Sequence, residues 1–95
     1  MIDNISVKEL KKLKNVIIID IRDIYKYNQN HILNAINIPY QELFVNFQKY
    51  LKKSSKYYIY CQKGHKSMNL CLKLRSLNYD VVNIIGGYEA WILNE

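Results

Sequence analysis

The chain has 95 residues, and its formal net charge of +6 comes from 14 Lys and Arg residues against 8 Asp and Glu residues. Nearly half of the residues (49%) are apolar, which at this length indicates a globular protein with one compact core. The segment MIDNISVKELKK lacks the apolar stretch of a signal peptide, and the apolar run at 16–19 is too short to cross a bilayer. We therefore expect a single domain spanning residues 1–95, located in the cytoplasm, with no membrane partner and with its cysteines reduced.

The positive charge favours anionic partners in general, but it does not indicate nucleic acid. The lysines are scattered over several predicted surface elements, among them Lys8, Lys11, Lys12, Lys14, Lys49, Lys52, Lys53 and Lys56. They form no helix-turn-helix, zinc-finger or RNP-like pattern. We expect no nucleic-acid partner and interpret this charge as a solvated surface.

Predicted helices and strands alternate along the chain. In order, they are a short helix from Ser6, a strand at 16–20, a helical turn from Asp23 to Tyr27, a brief strand before Pro39, a helix from Gln41 to Leu51, a strand at 57–60, a helix from about Ser67, a strand from Val81 to Ile85 and a closing helix from Tyr88 to Leu93. Such alternation predicts an α/β fold with a parallel sheet and helices on both of its faces.

Cys61 follows the strand YYIY, and the loop CQKGHKS (61–67) joins that strand to the next helix. Ligands of parallel α/β sheets bind beyond the carboxyl ends of the strands. The backbone N–H groups of residues 62–67 can turn inward around the sulfur, beside the positive end of the helix dipole. We therefore predict that the loop stabilises a thiolate nucleophile, or a persulfide anion, on Cys61.

Other residues of the loop fit this interpretation. Gly64 suits a tight ring of N–H groups because it has no Cβ and tolerates positive φ. Ser67 supports the start of the helix. Positive charge at the mouth of the loop comes from Lys63, His65 and Lys66. The alternative, that Cys61 is a buried structural thiol in an ordinary turn, suits an isolated cysteine better than it suits this context.

Three further predictions concern residues outside the loop. Asp20 and Arg22 follow a strand at the same edge of the sheet, and we expect them to brace the site through an ion pair or hydrogen bonds. Cys71 lies on the core face of the next helix, more than two turns past Cys61, and is interpreted as a packing residue. No His/Cys cluster has metal-ligand spacing and no glycine-rich nucleotide loop is present, so we expect neither a metal nor a cofactor.

Three segments, in order along the chain, resemble the motifs of the rhodanese family. IIIDIRDIYKYNQNHILNAINIP resembles the family's Asp-x-Arg segment followed by Gly-His-Ile-Pro-Gly-Ala, YYIYCQKGHKS resembles its Cys-x-x-Gly-x-Arg-Ser active loop, and NIIGGYEAW resembles its closing Gly-Gly-x-x-x-Trp. The resemblance implies a five-stranded parallel sheet flanked by helices and a catalytic Cys61 that passes sulfur as a persulfide. It implies a structural role for His31, and a substrate-binding loop made of Gln62, Lys63, Gly64, His65, Lys66 and Ser67.

The chain departs from the family pattern at a few positions. Asparagine replaces the usual glycine at Asn30, Asn34 and Asn78. Asparagine is the next most tolerant residue for left-handed backbone, so we expect the turns to be preserved. Leu33 replaces a usual proline, and Lys66 replaces the usual arginine of the active loop. Lysine keeps the charge at that position but loses the planar fork that grips an oxyanion with two bonds.

These observations predict an enzyme of the thiosulfate sulfurtransferase type. Its donor would be a small anion such as thiosulfate, or a persulfide, and its acceptor a small thiol, a protein thiol or cyanide. One alternative is a catalytically weak rhodanese-like module that binds a partner or carries a persulfide. A Cys-loop phosphatase or arsenate reductase is less favoured, because those enzymes need a wider loop that ends in arginine, whereas four residues separate Cys61 from Lys66.

Overall fold

The computed structural model describes residues 3–94, which form an α/β fold on a five-stranded parallel sheet. The strands are β1 (Asp3–Ile5), β2 (Ile17–Asp20), β3 (Ile36–Asn37), β4 (Lys56–Tyr60) and β5 (Asp80–Ile84). The helices are α1 (Val7–Leu10), α2 (Ile24–Gln29), α3 (Tyr40–Tyr50), α4 (His65–Ser76) and α5 (Gly87–Leu93). The strand order is β1-β5-β4-β2-β3, and each neighbouring pair is parallel. No helix in this range is long and apolar enough to span a membrane.

Side-chain caps begin α1 and α2 where the sequence predicted them. The Ser6 side chain accepts a hydrogen bond of 3.1 Å from the Glu9 N–H at the start of α1. The Asp23 side chain accepts one of 3.0 Å from the Lys26 N–H at the start of α2. Each side chain satisfies a backbone donor that the first helical turn leaves without a partner.

One strand and one helix start differ from the predictions made from the sequence. β1 was not predicted, because three residues carry too little periodicity to be recognised, and it is defined by its pairing with β5. α4 begins at His65, two residues before the predicted start near Ser67. The earlier start follows from Gly64, whose φ of 100° lets the chain turn directly from the loop into the helix.

The core lies on both faces of the sheet, which explains why the central strands read as unbroken apolar runs. One cluster packs α3 and α4 against the sheet and includes Ile19, Leu43, Ile59, Leu70, Leu74 and Val81. The other packs α1 and α5 against the opposite face and includes Val7, Leu10, Ile18, Tyr58, Val82 and Tyr88. Successive residues of a strand therefore enter different clusters, and both must be apolar.

Two of the three asparagines that replace a family glycine have left-handed backbone. Asn34 and Asn78 have φ values of 69° and 71°, so they preserve left-handed turns as expected. The same expectation is wrong for Asn30, whose φ of −174° is extended backbone that any residue adopts. What Asn30 contributes instead is its carbonyl oxygen, which accepts a hydrogen bond of 2.7 Å from Arg22.

The start of α5 packs directly against the loop that follows β4. The Tyr88 and Glu89 N–H groups donate to the carbonyl oxygens of Cys61 and Gln62, at 2.9 and 3.1 Å. This close approach requires Gly87, because a Cβ there would lie 2.2 Å from the Cys61 oxygen. The pair Gly86-Gly87 thus does more than end β5, since it brings the loop and the helix into backbone contact.

Cys71 is a core residue, as the sequence predicted. Its side chain is fully buried on α4, in the same cluster as Leu70 and Leu74. Burial raises the pKa of the Cys71 thiol to about 12. Since the thiolate is the reactive form of cysteine, this side chain is chemically inert in the folded protein at neutral pH.

Gly87→Ala should lower the free energy of unfolding by about 3 kcal/mol or more, because it adds a backbone clash to the strain of positive φ. Asn78→Ala is the matched control, since Asn78 has a similar φ and already carries a Cβ. That control should lose about 1 kcal/mol. Urea unfolding of both variants measures the difference, and equal losses would contradict the clash.

Cys71 should resist iodoacetamide at pH 7 for as long as the protein is folded. Its raised pKa keeps the thiol protonated at this pH, and its complete burial keeps the reagent from reaching the sulfur. In denaturing urea the same thiol should react fully. Peptide mass spectrometry of samples alkylated before and after unfolding makes the measurement, and native labelling at Cys71 would show that the core is open.

Candidate active site

The loop after β4 lies at the carboxyl edge of the sheet, beside the residues that follow β2. Asp20 pairs in register with Tyr60, so the chain segments after them leave the sheet together. The Ile21 N–H donates to the Tyr60 carbonyl oxygen at 3.0 Å, which extends the strand contact up to Cys61. Parallel strands bring their carboxyl ends to one edge, and this edge is where the sequence predicted the site.

The Cys61 sulfur is surrounded by hydrogen-bond donors from its own loop. The Gly64 N–H lies 3.1 Å from Sγ and the Ser67 N–H lies 3.3 Å from it. The Ser67 hydroxyl is also 3.3 Å from Sγ. These contacts form at the first turn of α4, where the helix dipole adds positive potential. A negative charge on the sulfur is stabilised by such an arrangement.

Gly64 has the geometry that the sequence predicted for it. Its φ of 100° lies in the region that residues with a side chain rarely adopt. A Cβ on Gly64 would approach the Gly86 nitrogen to 3.0 Å, so neighbouring backbone also limits what fits here. The position is constrained both by the turn of the loop and by its contact with the end of β5.

A pocket of about 570 Å³ opens above the sulfur. It is lined by Ile21, Arg22, Asp23, Lys26, Pro39, Tyr40, Cys61, Gln62, Lys63, His65 and Lys66. Of the predicted loop residues, Gly64 and Ser67 do not line this pocket, because both are buried and their N–H groups contact the sulfur inside the loop. The pocket is therefore lined by Cys61 together with the side chains of Lys26, Lys63 and Lys66.

The walls of the pocket include residues that the sequence analysis did not single out. Lys26 comes from α2, while Pro39 and Tyr40 come from the start of α3. They were missed because no motif joins them to Cys61. The available signal was their position after β2 and β3, since residues after parallel strands meet at one edge. The Lys66 ammonium lies 5.8 Å from the centre of the Tyr40 ring.

Asp20 and Arg22 form the ion pair that the sequence predicted. Both side chains are buried, and the Arg22 Nη2 and Asp20 Oδ2 atoms are 2.7 Å apart. Arg22 Nε also donates to both Asp20 oxygens, at 3.1 Å each. Burial alone lowers the pKa of the Arg22 guanidinium, but the hydrogen bonds and the charge of Asp20 outweigh burial and leave that pKa above its ordinary value.

The ion pair holds the loop through further contacts of Arg22. Nη1 donates to Gln62 Oε1 at 3.2 Å, and the guanidinium lies 4.2 Å from the centre of the Tyr88 ring. The Tyr60 hydroxyl donates to Asp20 Oδ2 at 2.5 Å. Burial is the main cause that raises the pKa of Tyr60, and this hydrogen bond is the second. Arg22 thus connects β2, the cysteine loop and α5.

His31 lies away from the pocket lining. Its ring stacks on Tyr27 with 3.8 Å between centroids, and its Nδ1 atom is 2.9 Å from the Tyr27 carbonyl oxygen. Tyr27 donates in turn to the Ala35 carbonyl oxygen at 2.5 Å. These contacts join α2 to the segment before β3. They fit a structural role for His31, and they leave it no contact with the sulfur.

Asn83 is a further site residue that the sequence analysis missed. Its side chain on β5 is buried, and its Oδ1 atom is 2.6 Å from the Ser67 hydroxyl. A polar residue within an apolar strand is the signal that pointed to it. Within residues 3–94, no three His, Cys, Asp or Glu side chains come together in a group that could hold a metal ion.

Comparison with known proteins gives a consistent family. The family model for the Rhodanese-like domain matches residues 5–94. Thiosulfate sulfurtransferase GlpE from Coxiella burnetii is 31% identical over 94 residues, which cover 95% of this chain and 84% of that protein.

Solved structures agree with that match. A rhodanese-like domain protein from Staphylococcus aureus is 31% identical, with a TM-score of 0.86 and coverage of 95% of this chain and 91% of that one. The human single-domain sulfurtransferase TSTD1 is 25% identical, with a TM-score of 0.84 and coverage of 100% and 99%. The chain belongs to the rhodanese-like family of sulfurtransferase proteins.

Proposed function

We propose that this protein is a thiosulfate sulfurtransferase in which Cys61 carries the transferred sulfur. The observation that carries the proposal is the Cys61 sulfur at the floor of a lysine-walled pocket, within 3.3 Å of the Gly64 and Ser67 N–H groups. These donors suit a sulfur anion, while the lysines suit an anionic donor. We also propose that residues 1–95 form one domain. A cytoplasmic location stays a prediction from the sequence.

The first half of the proposed reaction loads the cysteine. The Cys61 thiolate attacks the outer sulfur of thiosulfate, the bond between the two thiosulfate sulfurs breaks, and sulfite leaves with that electron pair. The product is a persulfide anion on Cys61, so the total charge is unchanged. The side chains of Lys26, Lys63 and Lys66 line the pocket and offset the negative charge of the approaching donor.

The second half of the reaction unloads the persulfide. A thiolate or cyanide attacks the terminal sulfur, the persulfide S–S bond breaks, and its electron pair returns to Cys61 as thiolate. The Gly64 and Ser67 N–H groups already contact the sulfur before loading, so the proposed reaction calls for no large loop movement between its two halves. A pocket open to solvent admits small acceptors, and a protein thiol presented on a flexible segment is a second acceptor class.

Two alternatives are tied to specific features. Lys66 in place of arginine supports the alternative of a weak catalyst or persulfide carrier, because an ammonium group does not grip an oxyanion through two parallel bonds. The phosphatase or arsenate reductase alternative is disfavoured by the contacts around the sulfur. The Gly64 and Ser67 N–H groups close in on Sγ itself, rather than leaving a wide ring for a phosphoryl group.

Incubation with thiosulfate should add the mass of one sulfur atom to the protein, on Cys61, and cyanide should remove it. Intact and peptide mass spectrometry make this measurement. Cys61→Ser should keep the fold and lose the addition, because a hydroxyl fits the loop but does not carry sulfane sulfur. Cys71→Ala is the matched control and should load normally, since Cys71 is buried in the core. Loading of Cys61→Ser would overturn the proposal.

Lys66→Arg should lower the Michaelis constant for thiosulfate about fivefold, which corresponds to roughly 1 kcal/mol. The charge is unchanged, and the gain comes from the two parallel N–H bonds of a guanidinium. Lys63→Arg is the control, because Lys63 lines the same pocket. An equal gain in both variants, or none in either, would show that Lys66 does not contact the donor and would favour a persulfide handed over by another protein.

A further inference from the structure

A chain of polar side chains runs from the Cys61 sulfur to the protein surface. The Cys61 thiol donates to the Ser67 hydroxyl at 3.3 Å, and Ser67 donates to Asn83 Oδ1 at 2.6 Å. Asn83 Nδ2 then donates to Asn4 Oδ1 at 3.1 Å. Ser67 and Asn83 are buried, whereas Asn4 is exposed on β1. Every donor in this chain points away from the sulfur, which is the direction that an uncharged thiol requires.

The donor–acceptor direction of these hydrogen bonds depends on the charge of the sulfur. A hydroxyl has one proton, so Ser67 can donate to only one of its three neighbouring acceptors. These are Asn83 Oδ1 at 2.6 Å, the Gly64 carbonyl oxygen at 3.3 Å and the Cys61 sulfur at 3.3 Å, and the contact to Asn83 is the shortest. When the sulfur becomes a thiolate, its proton leaves to solvent in the open pocket, and the charged sulfur then gains most from a hydrogen-bond donor. If Ser67 turned toward the sulfur with Asn83 unchanged, two acceptor oxygens would face each other across 2.6 Å without a proton between them. Buried polar atoms in that state are strongly disfavoured.

Rotation of the Asn83 amide removes this conflict. The two ends of an amide have the same shape, so Nδ2 can occupy the place of Oδ1. Asn83 then donates to Ser67, and Ser67 donates to the charged sulfur. Asn83 Oδ1 turns toward Asn4, which is exposed and can present its own amide N–H or a water molecule. The reversed chain satisfies each buried group, and no proton passes from one residue to another.

We propose that Asn83 is a positioning residue whose amide reverses when Cys61 becomes negatively charged, and that this reversal directs the Ser67 hydroxyl to the sulfur. The inference deepens the proposed function, since a persulfide anion requires the same direction as a thiolate. Reversal of the Asn83 amide lets one buried site satisfy the hydrogen-bonding needs of both the neutral and the charged sulfur. An apolar residue at position 83 would satisfy neither polar neighbour, and a carboxylate would satisfy the neutral state alone.

The test is the rate at which iodoacetamide alkylates Cys61 in the folded protein, which requires the thiolate but no sulfur transfer. Asn83→Asp should reduce this rate at pH 7 about tenfold, the size expected for one hydrogen bond to a charged group. Asn83→Leu should reduce the alkylation rate only about threefold. The loss is smaller than for Asn83→Asp because leucine does not hold the Ser67 hydroxyl, which is then free to turn toward the sulfur.

The order of the variants separates this proposal from a packing role. If Asn83 served packing alone, the isosteric Asp would resemble the parent and Leu would be worse, which would overturn the proposal. Ser67→Ala controls for the added charge, because the effect of Asn83→Asp should nearly vanish in that background. An undiminished effect there would mean simple repulsion between the carboxylate and the sulfur, and would also overturn the proposal.

Asn4 provides a second variant that does not disturb the buried part of the chain. Asn4→Asp only accepts hydrogen bonds, so it should hold the Asn83 amide in its thiol-state direction and slow alkylation about threefold. In Asn4→Ala, water replaces the Asn4 side chain as the partner of the Asn83 amide, and Cys61 should be alkylated at the parent rate. Equal rates in the two variants would overturn the proposal. Thiosulfate loading, measured separately, distinguishes the outcomes, since failed loading with the predicted alkylation order counts against the sulfurtransferase proposal alone.

Discussion

The geometry of the site depends on one constraint of the backbone. N–H groups of the cysteine loop face the Cys61 sulfur only if neighbouring carbonyl groups face elsewhere, and buried carbonyl groups need donors of their own. The start of α5 supplies them, because the Tyr88 and Glu89 N–H groups bond to the Cys61 and Gln62 oxygens. Gly87 permits that contact by lacking a Cβ. The proposed chemistry of the sulfur therefore rests on a glycine more than twenty residues away from it.

The charges of the site fall into two groups with different tasks. Asp20 and Arg22 are buried and paired, so they hold the loop and α5 in place while adding little net charge. The lysines that line the pocket are exposed, so their charges are available to the anionic donor proposed above. This division lets the structure keep a rigid loop without using the charges that the proposed donor requires.

The two cysteines show how environment decides chemistry. Cys71 is enclosed by apolar neighbours on α4, and burial raises its pKa to about 12. Cys61 is also largely buried, but N–H groups and a hydroxyl surround its sulfur and a pocket opens above it. The difference lies in what each sulfur contacts. Burial makes a cysteine unreactive where no hydrogen-bond donors contact its sulfur.

The sequence by itself determined the α/β fold, the parallel sheet, the position of Cys61 at a strand end and the family, because unbroken apolar runs, capping residues and short motifs are local signals. Only the tertiary structure decided the rest. β1 exists through its pairing with β5, Lys26 and Tyr40 reach the pocket through the strand order, and Asn83 meets Ser67 across the sheet edge. These contacts join residues far apart in the chain, and their partners are set by how helices and strands pack, which no local pattern encodes.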